Sequence, residues 1–322
     1  GTIKVTRIAA TPDYVSQYDF DTDDLDQLTV DYSGAGNQTI NGFTYGSLLT
    51  SGSGTKTMGA ASTVNDNITI GTGTVLNEGA FTLSLSSATI NINGTLDFND
   101  ATGTFTTTVG TNVLTMGATG IIRTLDPNGL GPAANASFIQ NGGTTFTTSS
   151  IATNGTVEYY RNATSGQTVT DRDYNNLIIN GNTQVKTWTL GAARTVNGSI
   201  TISADAPFTI VNTQTINLKG DWEKNSTGAF VSGTSTINFN GSVLQTIKGT
   251  QTTAFNSVTI NNTGAGVTLT TDATVNGVLT LTDGIVNTAA TPNGLLLIGA
   301  TGTAPGGGST GSHINGPIRK TG

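Results

Sequence analysis

The sequence predicts an all-β chain folded as a parallel β-helix, a right-handed β-solenoid of about 12 coils with an N-terminal cap segment. Three observations predict it. The first is composition. Threonine accounts for 64 of the 322 residues and glycine for 43, while 10% are charged and 6% aromatic. The β-branched threonine side chain suits the pleated, half-exposed surface of a strand. Glycine at this density, without the period of collagen, marks turns. With 3 Glu, 7 Lys and 2 Met, almost no α-helix is expected.

The second observation is a period. Apolar strand centres fall near Ile68, Ile90, Leu114, Phe138, Val157, Ile178, Ile200, Leu218, Ile237, Val258, Leu279 and Leu297, at a nearly constant interval. One apolar strand per period of about 20 residues implies stacked coils, each burying its apolar side chains against its neighbours. The third is a phrase used three times: Tyr45 to Ile70, Tyr174 to Ile202 and Phe255 to Leu281. Each copy opens on an aromatic residue, passes a polar break and closes on Thr-Val-Asn before a Thr-alternating strand.

Competing architectures lack their own marks. The Leu-x-x-Leu-x-Leu-x-x-Asn frame of leucine-rich repeats is absent, as are the blade length of a propeller and its signatures; a sandwich would not carry this repeat across the chain, and sandwich modules stay as the minority reading.

In chain order, residues 1–28 read as a strand, TIKVTRIAA, followed by the acidic run YVSQYDFDTDDLDQL. Terminal repeats of solenoids are atypical because they close the core, so this stretch reads as a cap. Residues 29–322 read as the solenoid itself. A second phrase precedes each copy of the first, giving super-repeats over 29–70, 156–202 and 236–281. Its members are Leu28 to Tyr32 with Gln38-Thr39-Ile40, Thr156 to Tyr159 with Gln167-Thr168-Val169, and Thr236 to Phe239 with Gln245-Thr246-Ile247. From Val157 to Ile237 the last two copies are four such periods apart, which predicts four coils per unit. Val196, Ile200, Ile202, Val275, Leu279 and Leu281 are the expected core. Eleven Asn-Gly dipeptides supply corners, since both residues tolerate positive φ. The steps between Asn176, Asn197, Asn217 and Asn238 would allow an asparagine ladder; turn preference alone would also place asparagines there. The chain opens on a strand without a signal sequence, which reads as a processed start. It closes in mid-pattern, so the native chain is expected to continue beyond 322.

Composition excludes several function classes. The absence of cysteine removes disulfides and thiolate chemistry. A net charge of -7 argues against a nucleic-acid partner. No apolar run is long enough to span a bilayer, so no transmembrane helix is expected. Asp19, Asp21, Asp23 and Asp24 alternate as calcium ligands do. The glycine and glutamate of an EF-hand loop are replaced by Asp24 and Val30, so a solvated acidic loop is the first reading and a Ca²⁺ site the second. No other cofactor is expected.

Asp171-Arg172-Asp173, with Arg194 one coil on, and Asp221, Glu223 and Lys224 are the best local clusters of mixed charge for catalysis. A glycosidase or lyase needs carboxylates in register over adjoining coils, and no second carboxylate falls there, so no catalytic residue is assigned. His313 has no nucleophile-elbow partner. Trp188 and Trp222 are not a whole number of coils apart, and are expected in the core rather than as a sugar platform. Threonine pairs such as Thr187/Thr189 and Thr268/Thr270 suggest an ice-binding array, but they are too far apart to form one column.

Tyr174-Asn175-Asn176-Leu177 with Thr195-Val196-Asn197-Gly198, the matching Phe255-Asn256-Ser257-Val258 with Thr274-Val275-Asn276-Gly277, Ser51 to Thr57, and the closing Asn315-Gly316-Pro317-Ile318-Arg319-Lys320 resemble one family. It is that of the large repetitive surface proteins of Bacteroidota exported by the type 9 secretion system. The resemblance covers about residues 28–322 and implies an extracellular or cell-surface adhesin, stalk or filament segment. Its implied partners are the secretion machinery and glycan or protein ligands, with end-to-end self-association open. The family's C-terminal sorting domain has no counterpart here, and no catalytic residues come with the pattern. A carbohydrate-binding or polysaccharide-degrading β-helix is the alternative.

Overall fold

The computed structural model describes the chain except for residues 9–11, 20–23, 132–135, 142–143, 204 and 305–308. The chain is all-β, with 3% helix, and its parallel sheets form a β-solenoid of about 13 turns. It divides into two units, Gly1–Glu158 and Tyr159–Gly322.

In the first unit one sheet stacks Thr2–Val5, Leu25–Tyr32, Thr44–Thr50 and Ser62–Ile70. Ser62–Ile70 is long enough to carry two successors. Its first half pairs with Thr82–Ser86 and its second half with Thr89–Ile92. Ser87, at φ 62°, makes the break between them. A second sheet stacks Gln38–Ile40, Gly54–Met58, Thr74–Asn77, Thr95–Phe98 and Ile121–Thr124. Its strands alternate. Leu76, Leu96 and Ile122 point into the core at full burial, while Asn77, Asp97 and Arg123 occupy the row beside them.

The second unit has three strands per turn rather than the one predicted. Leu177, Ile200, Trp222, Ile247 and Leu269 stack in one column. Ile216, Ile237, Val258 and Leu279 stack in another. A third face carries Gln167–Val169, Lys186–Thr189, Phe208–Val211 and Phe230–Val231. Ile200 and Leu218, placed in one series by spacing, therefore lie in different sheets. Ile178 and Leu297 face outward, and Leu177, Ile179, Leu296 and Ile298 take the interior. Of the expected core, Val196, Ile200, Ile202, Val275 and Leu279 are buried. Leu281 is half-buried, beside a register shift after Ile260.

Within each phrase the first and last strands sit directly on one another: Leu48 on Ile68, Leu177 on Ile200, Val258 on Leu279. One phrase is thus one turn plus a strand. From Asn176–Ile179 to Ser257–Asn261 there are eleven strand positions at three per turn, so the two copies begin on different faces. The super-repeat is therefore not the four whole coils that its length predicts. Its coherence comes from local corner chemistry.

That corner is built the same way twice. The Tyr159 and Tyr174 hydroxyls lie 2.7 Å apart; Tyr174 donates to the Thr170 carbonyl at 2.6 Å and the Thr170 N–H donates to Tyr159 at 3.0 Å. Tyr32 and Tyr45 close the same ring around Asn41. Burial pushes the Tyr32 phenol up to about 12, so these hydroxyls stay protonated donors. In the third copy the pair is Phe239 and Phe255, with ring centroids 6.2 Å apart. There the stretch from the phrase glutamine to the aromatic, Gln245 to Phe255, is longer than from Gln38 to Tyr45 or from Gln167 to Tyr174. Tyr174→Phe removes the donor to a buried carbonyl and the acceptor of Tyr159. It is expected to cost about 1–3 kcal/mol, read as a lower urea midpoint; a variant as stable as the parent would show the ring to be dispensable.

The phrase glutamine is the second part of the corner. Gln245 accepts from Gly241 N–H at 2.8 Å and donates to the carbonyls of Leu218 and Gly220 in the preceding turn. Gln38 does the same with Gly34, Val5 and Arg7. In two copies a fully buried lysine stacks on this glutamine, Lys56 on Gln38 and Lys186 on Gln167. Lys56 Nζ donates to the carbonyls of Gly34, Gly36 and Ser53. Lys186 Nζ donates to those of Arg161 and Gln184, and burial lowers its ammonium to about 8. Gly181, at φ 108°, leaves the space: a Cβ there would sit 2.8 Å from Lys186 Nζ.

Candidate functional site

The predicted charge clusters resolve into pairs between neighbouring turns. Arg194 grips Asp171 with Nε and Nη2 at 2.6 and 2.7 Å, and this contact holds the Asp171 carboxyl below its usual range. Asp173 instead accepts the Thr195 N–H at 2.8 Å. Lys248 reaches Asp221 at 2.7 Å and Glu223 at 3.9 Å, and the Asp221 contact raises its ammonium. Lys224 turns inward to the Ser226 carbonyl.

Spacing gave no sign of a third group. Arg123 bridges Asp97 at 3.5 Å and Glu158 at 2.8 Å along one outer row. Asp97 and Arg123 are register partners, but their separation is longer than the regular step, so counting did not align them. In each group a cation already pairs with at least one carboxylate of a neighbouring turn, which suits coil-to-coil cohesion better than proton transfer.

The acidic run is only partly described. Asp19 and Asp24 are exposed, while Asp21 and Asp23 lie outside the described residues. Among the described residues no group of three or more His, Asp or Glu side chains is placed to hold a metal ion. The segment carries one unforeseen element, the short helix Asp13–Gln17. Gln17 ties it to the first strand through the Thr6 and Arg7 N–H groups and the Lys4 carbonyl. Buried Asp13 accepts the Thr39 N–H at 2.6 Å.

Trp188 and Trp222 are fully buried, as expected. His313 contacts the Ser309 carbonyl at 3.2 Å. Thr187 and Thr268 lie in different sheets; Thr168, Thr187 and Thr209 do align, and the row then runs into Val231. The asparagine ladder exists at one step, Asn238 to Asn217 at 2.8 Å. Asn176 and Asn197 are not in that row, because Leu177 pairs with Ile200 and Val196 with Leu218. A second rung, Asn315 to Asn287 at 3.0 Å, was not foreseen.

The first unit also carries a groove of about 380 Å³ bordered by Gly42, Phe43, Thr44, Ala61, Ser62, Thr63 and Ser84. Thr44, Thr63 and Ser84 are register partners on three successive turns. Phe43 is half-buried and packs edgewise against Tyr14 and Tyr45, at 5.5 and 6.1 Å. The groove lies where the first phrase copy begins. Its hydroxyls were hidden in the sequence by the abundance of threonine. No helix among the described residues is long and apolar enough to cross a membrane. Comparison with family models, curated proteins and solved structures found no match.

Proposed function

We propose that the chain is a non-catalytic, structural and adhesive segment of an extracellular or cell-surface protein: a solenoid stretch of a stalk, filament or adhesin. The observation that carries this reading is where the charged groups go. Asp171 with Arg194, Asp221 with Lys248, and Asp97 with Arg123 and Glu158 bond one turn to the next, and the buried lysines and glutamines close corners. Polar chemistry in these positions holds a repeating scaffold together. Export by type 9 secretion in Bacteroidota belongs to the same reading and rests on the phrase resemblance alone.

The test joins location to turnover. Antibody against the chain is expected to label intact source cells. Beads coated with the purified chain are expected to stay on glycan- or protein-coated surfaces under flow, with no reducing ends or unsaturated products released from acidic polysaccharides. Turnover of a polysaccharide, or labelling only after lysis, would overturn the reading.

A further inference from the structure

We propose that the groove beside Phe43 binds an uncharged glycan chain laid across successive turns of the solenoid, with the Thr44, Thr63 and Ser84 hydroxyls contacting successive sugars. This rests on the adhesive reading and names its ligand class.

Three features point to that chemistry. The lining carries no ionisable side chain, so a charged ligand would find no counter-charge. The hydroxyls of Thr44, Thr63 and Ser84 have no side-chain hydrogen bond among the described residues. They repeat once per turn, at the spacing of neighbouring strands, about 4.8 Å, which is close to the advance per sugar in an extended pyranose chain. Each can donate to one sugar hydroxyl and accept from another.

Finally, Phe43 offers an apolar ring surface for the C–H face of a sugar, held in place by Tyr14 and Tyr45.

Calorimetry and saturation-transfer NMR with cellohexaose, xylohexaose, mannohexaose and, as the charged comparison, a galacturonic acid hexamer test the proposal on the full chain. At least one neutral hexaose is expected to bind. Thr63→Val with Ser84→Ala, both solvent-facing changes on intact strands, is expected to weaken it at least tenfold, and Phe43→Ala to abolish it with the unfolding midpoint of each variant measured alongside. The absence of neutral-hexaose binding, binding of the charged hexamer alone, or undiminished binding by the double variant would overturn the proposal. Bead adhesion that persists in the double variant would leave the adhesive reading standing while removing this groove from it.

Discussion

Replacing Trp222 with alanine is expected to destabilise the Tyr159–Gly322 unit by about 3–5 kcal/mol, the range for deleting a large aromatic from a packed core. Trp222 is fully buried and sits between two aromatic rings, Phe230 at 4.9 Å and Phe255 at 5.0 Å. Its indole N–H donates to the Thr253 hydroxyl at 3.1 Å, and Thr253 is itself 2% exposed. Truncation therefore leaves a cavity and removes a buried hydroxyl's donor. The column above and below cannot collapse into the space. Ile200 and Ile247 are fixed by main-chain pairing to the same strand, and a solenoid core has no second layer to shift inward. Trp222→Phe keeps most of the volume; it loses the hydrogen bond, about 1 kcal/mol, and part of the packing, and is expected to fall between the parent and Trp222→Ala. Urea unfolding followed by far-UV circular dichroism reads both. Equal midpoints for Trp222→Ala and the parent would mean that this column contributes little to cohesion. Because repeat arrays can lose cooperativity, the slope of each transition is to be compared as well as its midpoint.

How much of this was legible depends on which link of the chain is asked. The solenoid follows from local physics: β-branched residues, positive-φ corners and a recurring apolar spacing suffice. The assignment of residues to faces does not. Three short strands per turn each alternate with period two, so Leu177-Ile178-Ile179 offers three apolar residues with no local rule for which one faces out. Pairing with Ile200 and Ile202 decides it, and that information lies a full turn further along the chain. The same ambiguity explains the asparagines. A constant step aligned Asn176 with Asn197, whereas turns of unequal length in different columns move them apart. Corner chemistry was readable as repetition but not as mechanism. Gln38, Gln167 and Gln245 stood out as a phrase, and only the structure shows the side chain bracing a turn against its predecessor. The groove was the least legible part, since Thr44, Thr63 and Ser84 carry no signal that distinguishes them from the other hydroxyls of a threonine-rich chain.

Stability of the Gly1–Glu158 unit is expected to fall as pH rises from about 5 towards 9, and Glu78 is the reason. Its side chain is fully buried, beneath the turn 99–103. From that turn it accepts two long hydrogen bonds, Asn99 N–H at 3.3 Å and Asp100 N–H at 3.4 Å, and its own backbone N–H adds a third. Burial pushes its carboxyl up to about 9, and the nearby Asp97 charge acts in the same direction. In the unfolded chain the same carboxyl ionises near about 4.3. The folded pKa is the higher of the two, so the folded state holds the proton more tightly. The favourable contribution is complete below the unfolded value and is lost as pH rises through the folded one. Between these limits the loss approaches about 1.4 kcal/mol per pH unit for a single group, or about 3 kcal/mol between pH 5 and pH 7 as an upper bound. Glu78→Gln keeps the volume and an acceptor for the two N–H groups but cannot ionise. Its unfolding midpoint is expected to match the parent near pH 4, to exceed it increasingly from pH 5 to pH 8, and to vary less with pH throughout. The Asp97–Arg123 ion pair does not involve the Glu78 side chain and is left in place by the substitution. Parallel midpoint-against-pH curves for the parent and Glu78→Gln would show that Glu78 is ionised in the folded chain, and would require a cation or water against its carboxylate that compensates for its burial.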